Sequence, residues 1–374
     1  MRLQPLLLLP FLLLISSVSS AEIIMTSPIG VNKITCLANS DTIVGIPFRK
    51  EGSRSTVTSG DPIAVSGQAD LREIPLSAST LGAGSLNQHY LHFTSGTRDG
   101  RWYDITANTT TSVTIDLNGD DLTGVVIGDS VTITEYWTLD TLFPPAQATT
   151  GWTEDPQNAG VWLPNGNAIV ASAGTRAFQR RTELLFPNIE GSGINRSSLV
   201  SYYVYNNQWQ EVNGDGSDTG NVVIYPDMIQ TIRQPSTISH PTWYRSSGEV
   251  LTTSFSTPLH TQTDVRRDTF VGLPRPIDLT LGELNLWESG AFAQSLGTRA
   301  FERRDELLIF DNSNAAINKS SSTTYFHNGT NWLAVGDNTT NRDTDIIPAG
   351  AGFIIRKYQT TGGETAFWNN IAPY

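Results

Sequence analysis

Gly174-Thr175-Arg176-Ala177-Phe178-Gln179-Arg180-Arg181-Thr182-Glu183-Leu184-Leu185 recurs as Gly297-Thr298-Arg299-Ala300-Phe301-Glu302-Arg303-Arg304-Asp305-Glu306-Leu307-Leu308, an offset of 123 residues. The offset continues downstream without a gap. Tyr202 matches Tyr325, Trp209 matches Trp332, Ile224 matches Ile347, and Ile232-Arg233 matches Ile355-Arg356. An ungapped match of this length is the signature of a duplicated module. A shorter echo, Asp41-Thr42-Ile43-Val44-Gly45-Ile46-Pro47 against Asp268-Thr269-Phe270-Val271-Gly272-Leu273-Pro274, has a larger offset of 227 residues. One insertion reconciles the two offsets. Copy one is then split into residues 22–48 and 138–248, an inserted module occupies 49–137, and copy two runs over 255–374.

Each segment reads as β. In copy one Ser201-Tyr202-Tyr203-Val204-Tyr205 leads through Asn206-Asn207 to Trp209, and in copy two Thr323-Thr324-Tyr325-Phe326 leads through an Asn-Gly turn to Trp332. Aromatic and β-branched runs around such turns predict antiparallel hairpins. The insert alternates in the same way through Ser112-Val113-Thr114-Ile115 and Ser130-Val131-Thr132-Ile133. Arg176–Leu185 and its twin admit a helix, but in these surroundings a strand–turn–strand with its break at Arg181-Thr182 is expected. The predicted fold is all-β: small antiparallel sandwich or barrel modules, one module duplicated, with a β module inserted in the first copy.

Met1-Arg2, an apolar run from Leu6 to Ile15 and the small residues ending at Ala21 predict a signal peptide over residues 1–21. The expected location is therefore secreted or at the cell surface. The run is too short for a membrane span, and no transmembrane segment is expected once it is removed. A net charge of −12 over 374 residues argues against nucleic acid as a partner. The single cysteine, Cys36, excludes an intramolecular disulfide. Gly-x-Ser-x-Gly, His-Glu-x-x-His and phosphate-loop patterns are absent from the sequence. His89 and His92, three apart in a strand-like run, would face opposite ways.

The stretch from Gly128-Asp129 to Thr132-Ile133, with Tyr136-Trp137-Thr138-Leu139-Asp140-Thr141-Leu142-Phe143-Pro144, Ile105-Thr106-Ala107-Asn108-Thr109 and the Asp-Thr-x-Val-Gly-x-Pro motif, resembles an uncharacterised group of secreted proteins from Verrucomicrobia- and Planctomycetes-type bacteria. The resemblance implies a bacterial source and export. It carries no activity and no catalytic residue.

Three sets of residues are candidates for binding. Trp209 and Trp332 occupy equivalent positions and offer flat faces on which a sugar ring could stack, with Trp102, Trp162 and Trp287 as alternative platforms. Arg176, Arg180, Arg299 and Arg303 form two local basic clusters that suit anionic sugars or a partner's carboxylates, or else pair internally with Glu183 and Glu306. Asp116, Asn118 and Asp120 alternate oxygen ligands as a calcium loop does, although the loop's sixth and twelfth positions depart from that pattern. Calcium is the only cofactor suggested. The first functional expectation is a secreted, non-enzymatic protein with a structural or adhesive role at the cell surface or in extracellular matrix. A carbohydrate-binding module protein is the alternative, and a glycan-degrading enzyme the third reading. Polysaccharide, surface proteins and self-assembly are the partners these readings imply.

Overall fold

The computed structural model describes residues 27–77 and 81–374, so the expected signal segment lies outside the described residues. Antiparallel strands dominate, and the one α-helical turn among the described residues, Leu139–Leu142, is closed by a capping box between Thr138 and Thr141. Among the described residues no helix is long and apolar enough to cross a membrane.

Two five-stranded sheets share one connectivity. The first has the order Gln208–Glu211, Ser198–Tyr205, Glu183–Pro187, Gln230–Gln234, Ser40–Val44. The second has the order Trp332–Ala334, Thr323–His327, Glu306–Ile309, Gly352–Lys357, Arg267–Gly272. Turn chemistry fixes their hairpins. Tyr205 pairs with Gln208 across Asn206 and Asn207, whose φ angles of 52° and 61° are those of a two-residue type I′ turn. The other hairpin closes through Asn328, whose side-chain oxygen accepts from the amides of Thr330 and Asn331. The helix-or-strand segment resolves differently from the expectation. Only Glu183–Pro187 and Glu306–Ile309 are strands, while residues 174–180 and 297–303 fold into tight turns closed by backbone bonds to Arg176 and Arg299.

Each five-stranded sheet buries matching residues. Val44, Leu184, Trp209 and Ile232 lie in one core with Cys36 and Tyr244 from the strands Ile29–Cys36 and Thr242–Val250. Val271, Leu307, Trp332 and Ile355 lie in another with Leu259 and Trp368 from Phe255–His260 and Thr365–Asn370. A third core, including Leu91, Phe93, Val113, Ile115 and Val131, belongs to a seven-stranded sheet built wholly from residues 54–135.

The two five-stranded halves meet through reciprocal contacts. Asp41 is forked by Arg233 at 2.8 and 2.7 Å and accepts from the Asn318 amide at 2.7 Å. Asp268 is held by Arg356 at 2.7 and 3.1 Å and accepts from the Asn195 amide at 2.8 Å. Gly45 and Gly272 touch at the centre. A Cβ on Gly45 would sit 2.6 Å from the Gly272 Cα, and one on Gly272 would sit 2.8 Å from the Gly45 Cα. The Asp-Thr-x-Val-Gly-x-Pro echo thus has a structural meaning. Its aspartate clamps the facing half, and its glycine permits the backbones to meet. Contacts exchanged between equivalent residues are those of an isologous interface within one chain.

Candidate functional site

A cleft of about 720 Å³ opens where the seven-stranded sheet meets both halves. Its size is that of a small-ligand pocket. One wall comes from the strand Trp102–Asn108, on which Trp102 and Asp104 share a face because side chains alternate along a strand. Trp102 is half-buried, packed parallel to Phe255 at 6.1 Å and 16° and tilted against Tyr225 at 6.1 Å. Tyr90 and Tyr136 meet it edge-on at 5.8 and 6.4 Å, so an aromatic cluster holds the indole in place.

Two carboxyls line the same cleft. Asp104 accepts a hydrogen bond from the Tyr136 hydroxyl, and burial raises its proton affinity above the ordinary carboxylate range. Asp227 is crowded at the cleft wall. Burial, assisted by the charge of Asp104, pushes its carboxyl up from 3.8 to about 7, against hydrogen bonds from its own backbone amide and from Thr257 that favour the charged form. A neutral carboxyl can donate a hydrogen bond as well as accept one, which suits a ligand rich in hydroxyls.

The raised value has a consequence for stability. An unfolded Asp227 ionises near 3.8, whereas the folded chain keeps its proton up to about 7. The native state therefore binds the extra proton between those values, and stability falls as pH rises through that window. Asp227→Asn is expected to raise the thermal midpoint relative to the parent chain by an increment that grows from pH 4 to pH 8. An increment of the same size at both ends would contradict the raised proton affinity of this half-buried carboxyl. The imidazole of His92 acts in the opposite sense. Burial pushes it down to about 3, so its contribution is lost as pH falls below the usual histidine range.

The remaining sequence candidates fall elsewhere. Trp209 is 0 % exposed and donates its indole N–H to the Phe143 carbonyl at 3.1 Å. Trp332 is 1 % exposed and packed between Phe292 and His327. Neither presents a face to a sugar, which corrects the expectation. In modules this small, the largest apolar side chain is needed to fill the core. Of the alternative platforms, Trp162 stacks on His240 at the tip of a hairpin, Trp287 lies on His327, and Trp102 lines the cleft.

The arginine clusters are mostly internal. Arg180 reaches Glu183 at 2.6 Å and the Thr175 carbonyl at 3.1 Å, and Arg303 reaches Glu306 at 2.7 Å and the Thr298 carbonyl at 2.8 Å. These two guanidiniums brace the turns from within and are removed as ligand contacts. Arg176 and Arg299 are exposed beside Phe178 and Phe301, away from the cleft.

The calcium expectation is also corrected. Asp116 accepts from the Asn118 amide, closing an Asx turn, and Asp120 accepts from Arg101 at 3.1 Å and Tyr103 at 2.9 Å. The charge of Asp120 is thus already matched by arginine, and among the described residues no three His, Cys, Asp or Glu side chains are grouped to hold a metal. Asn118 and Asp120 instead line the cleft. His89 and His92 do not converge either. His89 Nδ1 faces the Asn87 carbonyl at 2.8 Å, and buried His92 places Nε2 2.9 Å from the Ser254 carbonyl. Cys36 is buried, its thiol pushed up to about 11 by desolvation, and so is no activated nucleophile.

Comparison with protein-family models, with curated proteins and with solved structures finds no match. The site therefore rests on its own chemistry. Asp104, Asp227, Arg196 and Arg267 escaped the sequence reading because no motif surrounds them. Trp102, picked out as an aromatic beside polar residues, and Asn118 and Asp120, picked out for calcium, were the sequence candidates that fall in this cleft.

Proposed function

We propose that this protein is a glycan-binding β-modular protein whose ligand lies in the cleft between its three sheet systems. The observation that carries the reading is Trp102, a positioned, half-buried indole lining the same cleft as two carboxyls. An aromatic face beside groups that both donate and accept hydrogen bonds is the recognition chemistry of a sugar ring. Retaining a glycan in such a cleft accords with an adhesive role. Export, expected from residues 1–21, would bring the cleft to extracellular polysaccharides. The test is retention of the purified chain on a panel of insoluble polysaccharides, followed by titration with soluble fragments of whatever retains it. Trp102→Ala is expected to weaken binding about tenfold or more while leaving the fold intact, as loss of a central aromatic anchor does. Binding unchanged in that variant would move the ligand out of the cleft.

A second reading, glycan hydrolysis, is favoured by the presence of Asp104 and Asp227 in one cleft, since glycosidases use a carboxyl pair as acid and as base or nucleophile. Release of new reducing ends, abolished by Asp227→Asn, would support it. Saturable binding without such release would leave the binding role alone.

A further inference from the structure

Arg196 and Arg267 form a cationic wall of the same cleft. Both are half-buried. Arg267 donates to the Ile189 carbonyl at 3.3 Å, and Arg196 donates to the carbonyls of Gly191 and Asp268. Among the described residues neither joins an ion pair. The nearby Asp268 carboxylate is taken by Arg356 and the Asn195 amide. Arg101, the third arginine of the cleft, is matched by Asp120. Backbone carbonyls thus fix the direction of both guanidiniums; Arg267 meets no opposing charge, and the Asp268 carboxylate offsets Arg196 only in part.

Burial lowers the proton affinity of both guanidiniums. The charge of Arg267 adds to this at Arg196 and also depresses His260, so the positive groups stand close together. Of the acidic groups in the cleft, Asp268 acts on Arg196, Asp104 acts on Asp227, and Asp104, Asp227 and Glu190 act on Tyr225, whereas none of them acts on Arg267. The shared fold does not require this cation pair. The matching positions in the other half are Lys319, which donates to the Asp311 carbonyl, and Ser40, which reaches the Ala316 carbonyl.

We infer that the ligand of this cleft is an acidic glycan, whose carboxylate or sulfate groups are gripped by Arg196 and Arg267 while a ring face lies on Trp102. The inference rests on the glycan-binding reading and narrows it. Guanidinium suits this role because its planar fork matches an oxyanion and stays charged when partly desolvated. The chain as a whole carries −12, so attraction to a polyanion has to be local and has to weaken as salt screens it.

The experiment titrates the full chain with three soluble polymers: polygalacturonate, a sulfated galactan and neutral galactan. Each is measured at low and at high NaCl. The expected result is binding of at least one acidic polymer, at least tenfold tighter than neutral galactan, weakened by salt and weakened tenfold or more by Arg267→Gln. Arg267→Lys should lose less, because it keeps the charge, and an unchanged thermal midpoint shows that the variants are folded. The preferred acidic polymer tells carboxylate from sulfate recognition. Equal binding of neutral galactan, insensitive to salt and to both substitutions, would overturn the inference and leave the glycan reading standing. Binding of none of the three, and of no member of the insoluble panel, would overturn both.

Discussion

Asp305→Ala is expected to destabilise the protein by about 3–5 kcal/mol, because it strands a buried ammonium. Asp305 is 0 % exposed and Lys357 3 %. Lys357 donates to Asp305 and to the Ala291 carbonyl, while Asp305 also accepts from the amides of Ala293 and Tyr358. The first half builds the same junction without charge. Thr182 donates to Gln234 at 2.7 Å, Gln234 donates to the Ala168 carbonyl, and Thr182 accepts from the Val170 amide. One difference in the chain explains why a single hydroxyl suffices there. Tyr358, whose N–H needs the second carboxylate oxygen, is matched by Pro235, which has no N–H. The double variant Asp305→Thr, Lys357→Gln should therefore recover most of the loss, short of about 1–3 kcal/mol for the orphaned Tyr358 amide. Urea unfolding of the two single variants and the double variant tests this as a cycle. A double variant no better than Asp305→Ala would refute the equivalence of the two junctions.

Trp209→Ala and Trp332→Ala should each cost about 3–5 kcal/mol of stability, the usual price of emptying a core site of a large aromatic. Each indole fills the centre of its half, and the Trp209 N–H is satisfied by the Phe143 carbonyl. Replacing Trp209 also leaves that buried carbonyl without its partner. The contrast with Trp102→Ala is the informative result. The core variants lower the unfolding midpoint and bind normally at a temperature where they remain folded, whereas the cleft variant, which gives up only the contacts of a half-buried indole, lowers its midpoint less and loses affinity while folded. A reversed pattern would restore Trp209 and Trp332 as a sugar platform and remove the cleft from consideration.

Local features were legible in the sequence. The Asn206-Asn207 hairpin follows from the tolerance of asparagine for positive φ, and the pairing of Arg180 with Glu183 follows from their spacing. Both involve residues a few positions apart, so the chain itself limits their arrangement. The Asp-Thr-x-Val-Gly-x-Pro echo was visible too, but not its purpose. Asp41 and Gly45 meet partners near residues 318 and 272 only when the halves are docked. The ranking of the tryptophans failed for a related reason. Equivalence in a repeat says that two residues do the same job, and cannot distinguish filling a core from presenting a face.

From the sequence alone come the all-β class, the internal match at an offset of 123 residues, and the turns that close the hairpins, because alternation, turn residues and recurrence are properties of neighbouring positions. Tertiary structure decided the rest: which aromatics are covered, that Asp120 is matched by Arg101, and that Trp102, Asp227 and Arg267 share one cleft. Trp102 and Arg267 lie on different sheets, and Asp227 lies in a turn outside both. Their proximity, the low exposure that shifts Asp227 and the unmatched charge of Arg267 exist only once the sheet systems pack together.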